Sequence, residues 1–143
     1  MILRECTEQD LALLIALDNA VFPDAWTELM WKNQLADKNF FGVCAEENGE
    51  AVGFVCGTLL FDDGELLKIG VKPDCRGKGV GGLLLNAFLD GIKRAGGVRV
   101  FLEVRQGNTP ALGLYESRGF LKTRVRERYY ADGENALEMK KEF

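Results

Sequence analysis

The sequence predicts an α+β fold: a mixed, mostly antiparallel sheet of about six to seven strands flanked by about four helices. Three observations lead there. Three strand-patterned segments follow one another with tight turn signals between them. A strongly amphipathic helical segment then crosses over to an apolar strand, which sets that strand parallel to an earlier one. A further helix and a final hairpin complete the chain.

Each element has a local reason. Residues 1–6 read as a short strand. Thr7 with Asp10 resembles a capping box with Asp in place of Glu. Leu13, Ala16, Leu17, Ala20 and Val21 recur at helical spacing, and Phe22-Pro23-Asp24-Ala25 breaks the pattern. Thr27 is placed to cap a second short helix carrying Leu29, Met30 and Trp31. The meander comprises Phe40 to Glu46, Ala51 to Leu60 and Glu65 to Val71, with Asn48-Gly49 and Asp62-Asp63-Gly64 as its turns. After a Gly-rich stretch from Lys72 to Gly82, Leu84, Leu85, Phe88, Leu89 and Ile92 mark a helix that Gly96-Gly97 ends. Val98 to Val104 is the apolar strand and Thr109 to Ser117 the last helix. Lys122 to Tyr130 and Ala136 to Lys141 are two closing strands around Asp132-Gly133. Neither repeats nor linker-like stretches interrupt the 143 residues, so one domain over 1–143 is expected.

Composition removes several kinds of chemistry. The chain is 47% hydrophobic and 28% charged, as a folded globular protein is. Its net charge of −4 speaks against a nucleic-acid binder, which works through phosphate neutralisation. There is no His, which excludes Ser-His-Asp and Cys-His catalysis and His-bearing zinc sites. Cys6, Cys44, Cys56 and Cys75 form no C-x-x-C pair and read as buried small hydrophobes in a reducing compartment, not as a disulfide or metal framework. Met1-Ile2-Leu3-Arg4-Glu5 carries charge where a signal peptide would be apolar, and the longest apolar runs are too short for a bilayer. A cytoplasmic protein without a membrane partner is expected.

Arg76-Gly77-Lys78-Gly79-Val80-Gly81-Gly82 lies between a strand and a helix. Glycines allow close backbone approach, and free N–H groups at a helix start attract an anion such as a pyrophosphate. A Walker A loop fails because Gly79, not Ser or Thr, follows Lys78. Gly77-x-Gly79-x-x-Gly82 fits the dinucleotide fingerprint by letter, and Glu103 falls near the expected acidic position. Against it, Lys72 to Arg76 separates strand from loop, hairpins precede the motif, and too little chain follows for further βα units. On the motif alone an ordinary Gly-rich turn stays open.

Arg76-x-x-Gly79-x-Gly81, with Val71-x-Pro73 before it, resembles the coenzyme A pyrophosphate loop of the GCN5-related N-acetyltransferases (GNAT). Asn108, Ala111 and Leu114-Tyr115-Glu116-Ser117-Arg118-Gly119-Phe120 resemble that family's second signature, and the likeness spans roughly Phe40 to Met139. The resemblance implies the GNAT fold and acetyl-CoA as cosubstrate, with no metal. It implies that Ile69, Gly70 and Val71 pair with the pantetheine arm, that the Val71 N–H holds the oxyanion, and that Asn108, beside Ala111, bonds the same arm. Arg76 and the amides of Gly77, Lys78, Gly79, Val80, Gly81 and Gly82 would hold the pyrophosphate. Glu103 would be the base, its pKa raised by burial at a strand end, and Tyr115 the acid at the coenzyme sulfur. From residues alone, Glu103 reads first as a solvated strand-end carboxylate paired with Arg105, and Tyr115 as a core aromatic. Cys75 as an acyl-bearing nucleophile is a further option, without an activating base nearby.

Within the family, Leu102-Glu103-Val104-Arg105, Tyr115-Glu116-Ser117-x-Gly119-Phe120, Arg126-x-x-Tyr129-Tyr130 and Ala136-x-x-Met139 resemble the bacterial N-terminal alanine acetyltransferases of a small-subunit ribosomal protein (the RimI type). This implies a protein N-terminus as acceptor, met by Trp26, Lys68, Tyr129 and Tyr130, and a monomer or weak dimer. Three departures stand out. Asp24-Ala25 lengthens the loop between Pro23 and Trp26, Lys68 replaces the usual Asn and adds a positive charge near the acceptor groove, and Gly70 replaces the usual Ala. A small-molecule amine acetyltransferase and a non-catalytic acyl-CoA-binding domain remain as alternatives.

Overall fold

The computed structural model describes residues 1–143. The order is β1 (Ile2–Glu5), α1 (Leu11–Val21), α2 (Glu28–Ala36), β2 (Phe40–Glu47), β3 (Glu50–Leu60), β4 (Asp63–Val71), α3 (Val80–Arg94), β5 (Arg99–Arg105), α4 (Thr109–Ser117), β6 (Leu121–Arg126) and β7 (Ala136–Glu142). Short 3-10 turns occupy Glu8–Asp10 and Pro73–Cys75. The strands make one seven-stranded sheet in the order β1-β2-β3-β4-β5-β7-β6. β4 and β5, joined through α3, are parallel, and every other neighbouring pair is antiparallel. No helix is long and apolar enough to cross a membrane.

The caps and most turns follow the sequence. The Asp10 carboxylate accepts from the Thr7 N–H at 2.8 Å, and Thr27 Oγ1 accepts from the Met30 N–H at 3.1 Å. Asn48 (φ 55°) and Gly49 (φ 79°) supply the left-handed pair that a tight hairpin requires. Two expectations shift. Asp63 and Gly64 join β4 through the pairs Leu60↔Asp63 and Leu59↔Gly64, so the turn is Phe61-Asp62, and Phe61 takes a positive φ of 54°. Gly64 serves packing instead: a Cβ there would lie 2.9 Å from Ile92 Cγ2 of α3. β6 ends at Arg126, not Tyr130, because Arg128 turns left-handed (φ 51°) and its N–H bonds Asn135 Oδ1 at 3.0 Å. Tyr129 and Tyr130 therefore stand in the β6–β7 connection.

Helices pack on both faces of the sheet, α3 on one and α1 with α2 over the β2–β4 part of the other. Leu84, Leu85, Phe88, Leu89 and Ile92 of α3 pack on Val100, Leu102 and Val104 of β5 and on Val43 and Val55. Each such buried side chain contributes about 1.5–3 kcal/mol. On the other face, Leu14, Leu17, Trp31 and Leu35 of α1 and α2 meet Cys6, Cys44, Phe54 and Cys56. Cys6, Cys44 and Cys56 are thus buried thiols, as their scatter in sequence predicts. What the scatter conceals is that β1–β2 pairing brings the Cys6 and Cys44 sulfurs within 2.9 Å of each other.

Candidate active site

The parallel β4–β5 pairing covers only Asp63↔Arg99, Gly64↔Val100 and Glu65↔Phe101. Immediately afterwards β4 carries a bulge: Cys56 opposes Lys68, Gly57 opposes Leu66, and Leu67 is the extra residue. A bulge adds twist and ends pairing. Gly57 permits it, since a Cβ there would collide with the Glu65 carbonyl and the Phe88 ring. Beyond it the two strands part, and the gap opens into a cleft of about 520 Å³.

Backbone groups dominate this cleft. Lys72 donates its N–H to the Val52 carbonyl at 2.9 Å, toward β3. Alternation along an antiparallel ladder then turns the N–H and C=O of Val71 and Ile69 away from β3, into the gap. Arg76 Nε donates to the Val71 carbonyl at 3.1 Å and occupies that acceptor. At the far end, Gly77 (φ 79°) and Gly79 (φ 82°) are left-handed, with open space where a Cβ would stand. The first backbone bond of α3 runs from the Leu83 N–H to the Gly79 carbonyl at 3.1 Å. The N–H groups of Val80, Gly81 and Gly82 thus lack helical partners, the arrangement that attracts an anion.

Of the residues expected at a cofactor, Ile69, Gly70, Val71, Arg76, Gly77, Gly79, Val80, Gly81, Asn108 and Ala111 line this one cleft, as does Tyr115. Lys78 and Gly82 do not. Lys78 is exposed and Gly82 packs beneath the Arg118 guanidinium. Asn108 caps α4, its Oδ1 accepting from the Ala111 N–H at 3.3 Å. Burial raises the Tyr115 hydroxyl to about 12. Val21, unforeseen from sequence, and Phe22, whose break with Pro23 resembles the family's substrate loop, also line the cleft. Cys75 also lines the cleft, where desolvation and Asp74 raise its thiol above the ordinary value.

Glu103 faces a second recess, of about 580 Å³, on the α1/α2 side of the sheet. The expectation that it is buried does not hold: its side chain retains 28% exposure and pairs with Arg126, Nε to Oε1 at 3.0 Å, rather than with Arg105. Alternation explains both. Val100, Leu102 and Val104 turn to α3, so Glu103 turns to the open face, where Arg126 of β6 reaches it across β7. Arg105 is drawn instead to Asp132 and Glu134. Glu65 lines the same recess, its carboxyl raised by desolvation and by the facing Glu103. Hydrogen bonding to Glu103 likewise raises the exposed Tyr129, while Tyr130 stacks 4.0 Å beneath the Arg105 guanidinium.

Lys68 also departs from expectation. It offers no free charge to a groove, because its ammonium lies 2.7 Å from Asp18 Oδ1 and over the rings of Phe22 (4.7 Å) and Trp26 (4.8 Å). Asp18 was not foreseen, although its position next to Leu17 and four residues after Leu14 places it on the buried stripe of α1. One set of metal-type ligands comes together, Cys6, Asp10 and Cys44, with ligand atoms within 4.8 Å of one another. Both Asp10 oxygens already accept from Arg4, at 2.8 and 2.9 Å, and Oδ2 also from Thr7.

Comparison with known proteins accords with this geometry. The sequence model of the acetyltransferase (GNAT) family matches residues 10–120. The [ribosomal protein bS18]-alanine N-acetyltransferase of Escherichia coli K12 is 31% identical over 126 residues, covering 88% of this chain and 83% of its own. An N-alpha-acetyltransferase of Sulfurisphaera tokodaii is 29% identical, covering 96% and 90%. The crystal structure of the Escherichia coli ribosomal-protein-S18-alanine N-acetyltransferase superposes with a TM-score of 0.91 at 27% identity, over 97% of this chain and 91% of that one. Ard1 from Thermoplasma volcanium gives 0.89 at 26%, over 99% and 96%. A strand that leaves its parallel neighbour just before a glycine-rich helix start, within a sheet of this order, is thus a shared architecture, and the chain belongs to the GNAT acetyltransferase family.

Proposed function

We propose that residues 1–143 act as one N-acetyltransferase domain that moves acetyl from acetyl-CoA to the N-terminal α-amine of a protein, such as a ribosomal protein, by direct attack. The observation that carries this reading is the gap between β4 and β5, with inward N–H groups along one edge and a carboxylate at the other.

The cleft fits an elongated acyl-CoA. Its mouth offers unpaired α3 amides, Arg76 and two glycines without side chains to obstruct a pyrophosphate. Its β4 edge offers main-chain groups to an amide-bearing arm. The bound thioester supplies the acetyl group. Glu103 takes the proton of the attacking amine, and Arg126 holds the carboxylate in place. The Val71 N–H stabilises the oxyanion, a contribution of about 3–4 kcal/mol for a well-placed donor. Tyr115, protonated at every physiological pH, gives its proton to the departing thiolate. An α-amine of pKa about 8 is roughly one-tenth neutral at pH 7, whereas a Lys amine near 10.4 is almost wholly charged. A solvent-open Glu103 suits the first task better. The Escherichia coli and Sulfurisphaera relatives, named for the same class of acceptor, support that choice.

A second reading has its own observation. Asp62, Asp63, Glu65, Glu103 and Glu138 all line the Glu103 recess, which would also receive a small cationic amine such as a polyamine. Steady-state transfer, read as free thiol, separates the two. Peptides beginning with Ala should turn over, Nα-blocked peptides carrying Lys should not, and Glu103→Gln should lower kcat/KM about 10²–10⁴-fold. Coenzyme binding without transfer to either peptide, together with turnover of spermidine, would overturn the protein-acceptor reading.

A further inference from the structure

The acceptor side of the sheet holds a polar centre that the transfer chemistry does not use. Asp18 is wholly buried. Its carboxylate gathers donors from three parts of the chain: Lys68 Nζ of β4 at 2.7 Å, Trp31 Nε1 of α2 at 2.9 Å, and the backbone N–H of Trp26, between the helices, at 2.9 Å. Lys68 is itself only 11% exposed, with Phe22 and Trp26 stacked against its ammonium. Two residues along β4, Gly70 receives the other end of the same loop. A Cβ there would stand 3.0 Å from the Phe22 ring and 3.1 Å from Val21.

The loop from Phe22 to Trp26 is therefore fastened to β4 at both ends. Gly70 leaves the space that Phe22 occupies, and Asp18, itself held by Lys68, fixes the backbone of Trp26. Apolar side chains would fill the same space at lower desolvation cost. What three directional bonds to one carboxylate add is a single arrangement of the loop, and Phe22 carries that arrangement to the wall of the cleft.

We propose that Asp18 and Lys68 form a latch that positions the Phe22–Trp26 loop for the acceptor. They are positioning residues, and they govern the affinity for the acceptor rather than for acetyl-CoA. The charge of the Lys68 ammonium is balanced within the latch, so the acceptor meets the Phe22 and Trp26 rings, a surface for an uncharged first residue. This rests on the protein-acceptor reading above.

The test compares wild type with Lys68→Met, Lys68→Arg and Asp18→Asn. Two readouts are needed: KM for an Ala-initiated peptide and for acetyl-CoA, and acrylamide quenching of Trp26 and Trp31, the protein's two tryptophans. Lys68→Met and Asp18→Asn should raise the peptide KM about tenfold, equivalent to about 1.4 kcal/mol, with the acetyl-CoA KM unchanged and quenching increased. Lys68→Arg should restore wild-type behaviour in both. An unchanged peptide KM in Lys68→Met, or a parallel rise in both KM values, would overturn the latch. Should Asp18→Asn fail to fold, the Met and Arg variants decide. Should wild type transfer to no peptide, the function proposed above fails, and the latch is still judged by quenching: unchanged quenching in Lys68→Met defeats it.

Discussion

The two faces of the sheet are built from different materials. Under α3, eighteen buried residues form one apolar cluster, and neither buried carboxylate, Asp10 nor Asp18, lies on that side; glycines bring backbone and side chains close there: Gly57 beneath Phe88, Gly64 beneath Ile92, Gly91 beneath Phe41. Under α1 and α2 the cluster has eight, gathered around Asp18 and Lys68. The first face positions main chain, namely the β4 edge and the α3 N-terminus. The second positions side chains, namely Phe22 and Trp26. Main-chain groups can hold a ligand common to a whole family, and they need only a rigid apolar foundation. Side chains that select one acceptor need direction, which hydrogen bonds supply and apolar contacts do not.

If the second face depends on its polar centre, removing that centre should be the more damaging change. Asp18→Ala leaves two N–H donors and a nearly buried ammonium without their acceptor. Loss of one member of a buried pair costs about 3–5 kcal/mol. Urea unfolding should register it as a lower midpoint at unchanged slope. Adding Lys68→Met should recover part of the loss, because the stranded charge goes with it. A loss below about 1 kcal/mol, the size of an ordinary surface change, would remove the contrast between the faces.

The same contrast decides what could be read in the chain. The α3 side was legible because its signals are local: Leu84, Leu85, Phe88, Leu89 and Ile92 repeat at helical spacing, Asn48-Gly49 names its turn, and the glycines from Gly77 to Gly82 precede a helix. Strand pairing follows from the crossover, and ten of the twelve cofactor candidates share one cleft. The α1/α2 side was less legible because its bonds join residues far apart in sequence. Asp18 meets Lys68 fifty residues away and Cys6 meets Cys44 thirty-eight away, and no local pattern carries such pairs. Glu103 illustrates the boundary. Its position at the end of β5 followed from the pattern, but its exposure followed from alternation across the sheet, and its partner Arg126 from the β6–β7 pairing.

On the α3 face the corresponding change is Gly57→Ala, of intermediate size. The added methyl meets the Glu65 carbonyl and Phe88, neither of which moves freely. Overpacking of this kind costs about 1–3 kcal/mol. Because Gly57 lies opposite the bulge that ends β4–β5 pairing, its kinetic effect should fall on acetyl-CoA: a higher KM for the thioester and a smaller change for the peptide, the reverse of Lys68→Met. An equal rise in both KM values would mean that the two faces do not divide the substrates between them.

The smallest difference between the faces should appear in acid. Arg4 donates to both oxygens of Asp10, and this hydrogen bonding, more than any other influence, holds the Asp10 carboxyl below its ordinary value. A carboxyl with a depressed folded-state pKa binds fewer protons folded than unfolded. Its contribution to stability is complete above the unfolded value near 3.9 and is lost as pH falls through the lower folded one. The α3 cluster holds no ionisable group that titrates in that range. Lowering the pH from 5 to 3 should therefore weaken the β1–α1 region first. Amide exchange at Leu14 and Leu17 should accelerate before exchange at Leu85 and Phe88. Asp10→Asn should remove the difference, lowering stability at pH 6 while flattening its decline toward pH 3. Simultaneous loss of protection on both faces, or an acid slope that persists in Asp10→Asn, would place the sensitivity elsewhere, with Glu138, whose carboxyl Thr123 and the nearby Arg124 and Arg126 also lower, as the next group to examine.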